Sequence, residues 1–266
     1  MIKFIATDLD GTLLDDERRL PDGIFDLIEA LWARGVLFAP ASGRQYASLK
    51  RFFAPVFDKV VFVCENGALV KYRGETLHLN PIPDQEVKEA LDAVRATPHL
   101  RPMLCGAESA YIENDEQPFR DYAFASYDAC VKVENLETVI GKEPICKIAV
   151  FDEIAAAENG IRVLPPKLPR LRTIQSGRDW CDVSAPTADK GEAIRFLRGH
   201  FSFDKSECVA FGDHMNDYEM LCECGRAYVT ENAYPPLKKL IADTVPSNRE
   251  GGVAYKLREI LKEISL

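Results

Sequence analysis

The stretch "FIATDLDGTLLD", residues 4–15, sets two carboxylates, Asp8 and Asp10, at the end of an apolar run. Two like charges this close repel, so a cation should sit between or beside them. Magnesium suits the position, because it prefers hard oxygen ligands and works through one or two carboxylates plus a substrate phosphate. Read alone, Asp-Gly is also an ordinary turn dipeptide, and one carboxylate then merely caps the turn.

Three further stretches carry polar groups in comparable places. In "APASGRQ", Ser42 and Gly43 fall at a strand-to-helix junction. A hydroxyl and backbone amides at a helix N-terminus make an anion site, although Ser42 also reads as a simple N-cap. In "TADKGEAIRFL", Lys190 opens a helix, where a positive charge opposes the dipole unless it meets an anion; the alternative is a solvated surface lysine. In "CVAFGDHMNDYEML", an apolar strand ends at Gly212, and Asp213, Asn216 and Asp217 follow. Capping explains Asn216 or Asp217, but all three polar groups less readily. Carboxylates, a hydroxyl, a lysine and an amide together are the parts for magnesium-assisted phosphoryl transfer.

These groups need a scaffold that gathers them. Residues 3–7, 36–41 and 60–64 read as buried strands, with helices over 21–34 and 44–53 between them. This β-α-β-α-β order implies a parallel sheet covered on both faces, with ligands outside the carboxyl ends of its strands. A hairpin follows around Arg73-Gly74, and Pro81 and Pro83 mark a boundary. From there the rhythm becomes α+β. Helices are expected over 84–96 and 118–126, strands over 102–105, 110–113 and 146–151, and a hairpin at Ser176-Gly177. After Pro186 the α/β rhythm resumes, with helices over 190–200, 216–222, 235–241 and 252–264 and strands over 208–211 and 226–229. The predicted fold is therefore α/β: a Rossmann-like parallel-sheet core, residues 1–81 and 187–266, interrupted by an α+β domain, residues 82–186.

The bulk numbers narrow the function class. The 266 residues carry 33 basic against 42 acidic side chains, a net charge of −9, which argues against a nucleic-acid partner. No apolar stretch approaches the roughly 18 residues that span a bilayer, and no signal-peptide pattern opens the chain. Cys64, Cys146 and Cys208 sit in apolar runs, where cysteine behaves as a small hydrophobe. The expectation is free thiols in a reducing cytoplasm.

In this order, "DLDGTLLD", "SGR", "DKG" and "GDHMNDYEML" resemble the four motifs of the haloacid dehalogenase superfamily. The insertion between the second and third motifs, "ENGA" at 65–68 and the closing "NREGGVAYKLREIL" are similar to its Cof-type branch (subfamily IIB, with an α/β cap of the C2 type). The resemblance spans the chain. It implies a magnesium-dependent phosphatase acting on small phosphorylated metabolites, sugar phosphates first among them. It further implies that Asp8 is the nucleophile and Asp10 the general acid and base. Ser42 and Gly43 hold the phosphoryl group with Lys190 and Asn216. The metal is bound by Asp8, Asp213 and the backbone carbonyl of Asp10, and Asp217 supports it from behind.

The inserted domain should read the leaving group. Ser176 and Arg178 at its hairpin tip, with Asp182 on the return strand, and Arg44 and Asn66 on core loops are the candidates. A small-molecule phosphomonoester is the expected partner, with no nucleic acid or membrane, and a monomer or weak homo-oligomer the expected state. Two other readings stay open at this point: a sugar phosphomutase or phosphotransferase of the same branch, and a non-catalytic phosphate-ligand sensor.

Overall fold

The computed structural model describes residues 1–264. The chain divides into two compact units. The first comprises residues 1–43, 49–78 and 189–266, and the second residues 44–48 and 79–188.

The first unit begins with β1 (Phe4–Thr7), α1 (Ile24–Trp32), β2 (Leu37–Pro40), α2 (Tyr46–Phe52, which starts in the other unit) and β3 (Val61–Cys64). Every residue of β1, β2 and β3 is buried, as continuous apolar runs in a sheet covered on both faces must be. Helix α1 starts three residues later than the Pro21 expected. Gly23 sits in the left-handed region at φ 73°, and the helix cannot extend back through it. Its buried positions Ile24, Ile28 and Leu31 keep the helical period.

β3 departs from the simple parallel reading. It meets β2 only through the isolated parallel bridges Phe38–Val60 and Ala41–Val63. Its continuous ladder runs antiparallel to β4 (Leu69–Tyr72), which turns at Arg73-Gly74 into β5 (Glu75–Leu79).

The chain then builds the second unit from α3 (Asp84–Arg95), β6 (Leu100–Gly106), β7 (Ala110–Ile112), α4 (Phe119–Ser126), β8 (Cys130–Lys132), β9 (Ile145–Asp152), α5 (Gly160–Lys167), β10 (Arg172–Gln175) and β11 (Trp180–Ser184). Its sheet has the order β10-β11-β9-β6-β7-β8, antiparallel except for the β7–β8 pair. One face packs Val87, Leu91 and Val94 of α3 and Leu164 of α5 against Leu104, Ile148 and Val150. The other packs Phe119 and Ala123 of α4 against Met103, Ala149 and Phe151. Helix α5 was not legible because it contains Pro165 and Pro166, which ordinarily break helices. β8, three residues with no apolar period, carries no sequence signal either.

The first unit resumes with α6 (Lys190–Phe201), β12 (Cys208–Gly212), α7 (Tyr218–Cys222), β13 (Arg226–Thr230), α8 (Pro235–Leu240), β14 (Thr244–Val245) and α9 (Gly252–Glu263). Its main sheet is parallel, in the order β14-β13-β12-β1-β2. β1 is therefore flanked by β2 and by β12, which follows it by some two hundred residues. The order reverses at β1, and such a switch point is where an open α/β sheet gathers its ligand-binding loops. In register, Thr7 lies opposite both Pro40 and Phe211, so the three strands end level with one another. All eight cysteines carry free thiols, with Cys64, Cys146 and Cys208 buried in strands. Among the described residues, no helix is long and apolar enough to cross a membrane.

Candidate active site

The level strand ends put Asp8 directly beyond β1, with its amide donating to the carbonyl of Phe211 at 3.0 Å. Its side chain is buried. β12 ends at Gly212 and releases Asp213, and a short 3-10 turn over Met215–Asp217 brings Asp217 back under the strand end. Lys190 opens α6 behind the N-cap Asp189, whose side chain accepts from Glu192 N.

These side chains meet. Lys190 is fully buried, and its ammonium donates to Asp8 Oδ1 at 2.5 Å and to Asp217 Oδ1 at 2.6 Å. Asp217 turns its other oxygen to the amides of Asp213 and His214, at 3.0 and 3.1 Å. One carboxylate thus fixes both the lysine and the loop that carries Asp213. Thr12 Oγ1 donates to Asp213 Oδ1 at 2.9 Å and ties the first loop to the fourth. Thr12 lies inside the "DGT" stretch, yet nothing in its spacing signals a partner 201 positions away.

Carboxylate oxygens of Asp8, Asp213 and Asp217 lie within 4.8 Å of one another. Burial, reinforced by the charge of Asp217, pushes the Asp8 carboxyl well above its ordinary range, and Lys190 pulls against that rise. Asp213 is pushed up to about 6, again by burial and then by Asp217. Burial alone would lower the Lys190 pKa, but the charges of Asp217 and Asp8 outweigh it and raise the value. Three partly or fully buried carboxylates share a single lysine, so the cluster is short of positive charge. An all-oxygen donor set with a charge deficit fits a hard divalent cation.

The remaining candidates fall into two groups. Asp10 lies one step outward on the same loop and is exposed, with a bridge to Leu14. Ser42 is buried beyond β2, where its amide donates to Val63 O and its carbonyl accepts from Asn66 N. A side chain on Gly43 would crowd the amide of Asn66, 3.0 Å from the nearest atom, so backbone and amide are close-packed there. Asn216 sits in the 3-10 turn beside Asp217. Arg44, Ser176 and Arg178 belong to the second unit. There Ser176 Oγ donates to Asp182, which also accepts from the buried Lys147 at 3.0 Å. Arg178 is exposed and pairs with Asp179.

The model of the haloacid dehalogenase-like hydrolase family matches residues 5–257. The chain is 26% identical to the 5-amino-6-(5-phospho-D-ribitylamino)uracil phosphatase YbjI of Escherichia coli, covering 98% of this chain and 97% of that one. It is 28% identical to an HMP-PP phosphatase of Yersinia enterocolitica, over 98% and 96% of the two chains. A crystal structure from Eubacterium rectale superimposes with a TM-score of 0.88 at 27% identity, over 97% of this chain and 99% of that one. The chain belongs to the haloacid dehalogenase-like hydrolases, as a phosphatase of their Cof-type branch.

Proposed function

We propose that the protein is a magnesium-dependent phosphatase of small phosphorylated metabolites, with sugar and polyol phosphates as its first substrate class. The observation that carries this reading is the buried Asp8–Lys190–Asp217 bridge with Asp213 beside it. It holds one carboxylate at a strand end and turns one of its oxygens to the ammonium of Lys190. Such a carboxylate acts as a covalent nucleophile.

In the first step an oxygen of Asp8 forms a bond to phosphorus as the bond to the leaving oxygen breaks. Asp10, exposed two residues on, gives that oxygen its proton. A proton donor at this point contributes about 10²–10⁴-fold. In the second step Asp10 takes a proton from water, which attacks the phosphorus of the aspartyl-phosphate and frees Asp8. Lys190, Ser42 and the amide of Gly43 hold the phosphoryl oxygens, where most of the catalysis of such transfers lies. Asp8, Asp213 and the carbonyl of Asp10 would hold the magnesium ion, with Asp217 behind them. When bound, the ion supplies positive charge to the nucleophile and the phosphoryl oxygens.

The substrate class draws support from the Escherichia coli relative, whose name carries a 5-phospho-D-ribityl group. Ser176, Arg178, Arg44 and Asn66 are proposed readers of the leaving group. A cytoplasmic setting is supported by cysteines packed as small apolar side chains.

The test is phosphate release from sugar phosphates, ribityl phosphates, flavin mononucleotide, pyridoxal phosphate and p-nitrophenyl phosphate, with magnesium and with chelator. Release that stops on chelation is expected, fastest on the sugar and ribityl esters. Phosphate moved onto an added sugar without release would show a phosphotransferase, and no reaction on any ester would defeat the proposal.

A further inference from the structure

The turn that follows β13, residues 230–234, grips two of the loops that carry the carboxylates. Tyr234 N donates to the carbonyl of Asp213 at 2.7 Å. Asn232 Nδ2 donates to the carbonyl of Gly11 at 2.8 Å, and Thr230 Oγ1 approaches the same oxygen at 3.4 Å. The turn itself is closed by Ala233 N on Thr230 O at 3.0 Å. β13 is separated from β1 by β12. Asn232 therefore reaches past the Asp213 loop to the loop of Asp8 and Asp10.

Gly11 is where this grip has most leverage. It sits at φ +82°, and an added Cβ would overlap the carboxylate of Asp213. The next residue, Thr12, donates to that same carboxylate at 2.9 Å. The Gly11 peptide is thus pressed against Asp213 on one side and hydrogen-bonded to Asn232 on the other. Asn232 is braced in turn, because its Oδ1 accepts from Asn248 N at 3.0 Å. Asn248 Nδ2 donates to Leu14 O at 3.0 Å and to Asp16 Oδ1 at 3.1 Å. The loop after β1 is held at residues 11, 14 and 16 by two asparagines from the C-terminal segment.

We propose that Asn232 is a positioning residue that sets the spacing between the Asp8–Asp10 loop and Asp213. The role needs a donor and an acceptor on one short side chain, and asparagine has both. Asn232 is exposed, so the fold draws little stability from it, while a small displacement of reacting groups costs much rate. The inference rests on the phosphatase mechanism proposed above.

The test uses the full chain with Asn232→Ala and Asn232→Asp. The aspartate keeps the acceptor for Asn248 and loses the donor to Gly11. With p-nitrophenyl phosphate and magnesium, kcat should fall about tenfold or more in both variants while KM stays within about threefold. The Tm of Asn232→Asp should stay within about 2 °C of the parent. An unchanged kcat in both variants, or a loss that merely follows Tm, overturns the inference. If the parent protein hydrolyses nothing, the proposed function fails, and Mn²⁺ binding decides this inference separately. Asn232→Ala should then bind Mn²⁺ about fivefold more weakly than the parent. Equal affinity, or no binding by the parent, overturns it.

Discussion

Lys190 and Asp8 stand 182 positions apart in sequence and 2.5 Å apart in the fold, both buried. The pair is held by topology. β1 ends level with β12, and α6 enters with its first residue pointing at that end. Burying a lysine is costly unless its charge is matched, and here two carboxylates match it. The burial of Lys190 rules out the solvated surface lysine.

Replacing that lysine should therefore be felt in the fold. Lys190→Met keeps the length and removes the charge, leaving Asp8 and Asp217 buried without their cation. The expected loss is about 3 kcal/mol or more at pH 7 in urea unfolding, because breaking a buried pair strands the partner. Lys190 pulls against the raised Asp8 carboxyl, so without the ammonium Asp8 takes up a proton more readily and the loss should shrink toward pH 5. A loss below about 1 kcal/mol, typical of an exposed ion pair, would show that Lys190 does not neutralise this cluster.

Asp8→Asn should act in the opposite direction on stability. The folded Asp8 carboxyl is pushed up by burial and by Asp217. Its stabilising contribution is complete below the unfolded value near 4 and is lost as pH rises through the raised folded value. At pH 7 the metal-free parent carries that deficit, and asparagine removes it. Tm of the metal-free variant should rise by about 2–4 °C per kcal/mol recovered, while turnover falls by about 10³-fold or more. Added magnesium should stabilise the parent more than the variant and narrow the gap. Equal turnover in the two proteins would remove Asp8 from the role of nucleophile.

The sequence carried the loop-bearing strands well, because β1, β2 and β12 are short runs of continuous apolar residues bounded by polar ones. It also carried the carboxylates, since Asp8, Asp213 and Asp217 sit in compact local patterns. It carried contacts across the sheet poorly. Thr12 reaches Asp213 and Asn232 reaches Gly11 only because β12 inserts between β1 and β13, and no local period encodes that. β3 reads as one more parallel strand because its composition matches the others, whereas its partner is set by the tight turn at Glu65–Gly67 that folds β4 back onto it. In α5, Pro165 and Pro166 opposed the helix, and packing of Leu164 into the sheet face prevailed.

The second unit should lose stability on the alkaline side, and the cause is two thiols, Cys181 buried and Cys130 half-buried, that the fold keeps protonated. Burial, then the charges of Asp182 and Asp152, pushes the Cys181 thiol from its ordinary value near 9 up to about 12. Burial alone pushes Cys130 up to about 11. For such groups the unfolded chain releases protons first, so the folded state binds more of them between the two values. Their contribution is therefore complete below about pH 9 and is lost as pH rises through 11 to 12. The urea midpoint followed by fluorescence of Trp180, which neighbours Cys181 on β11, should be level from pH 7 to 9 and fall beyond it. Cys181→Ala should lower the midpoint at pH 7, because it opens a cavity in the sheet packing, yet flatten the slope above pH 9. Parallel slopes in the two proteins would mean that this thiol ionises alike in the folded and unfolded chain.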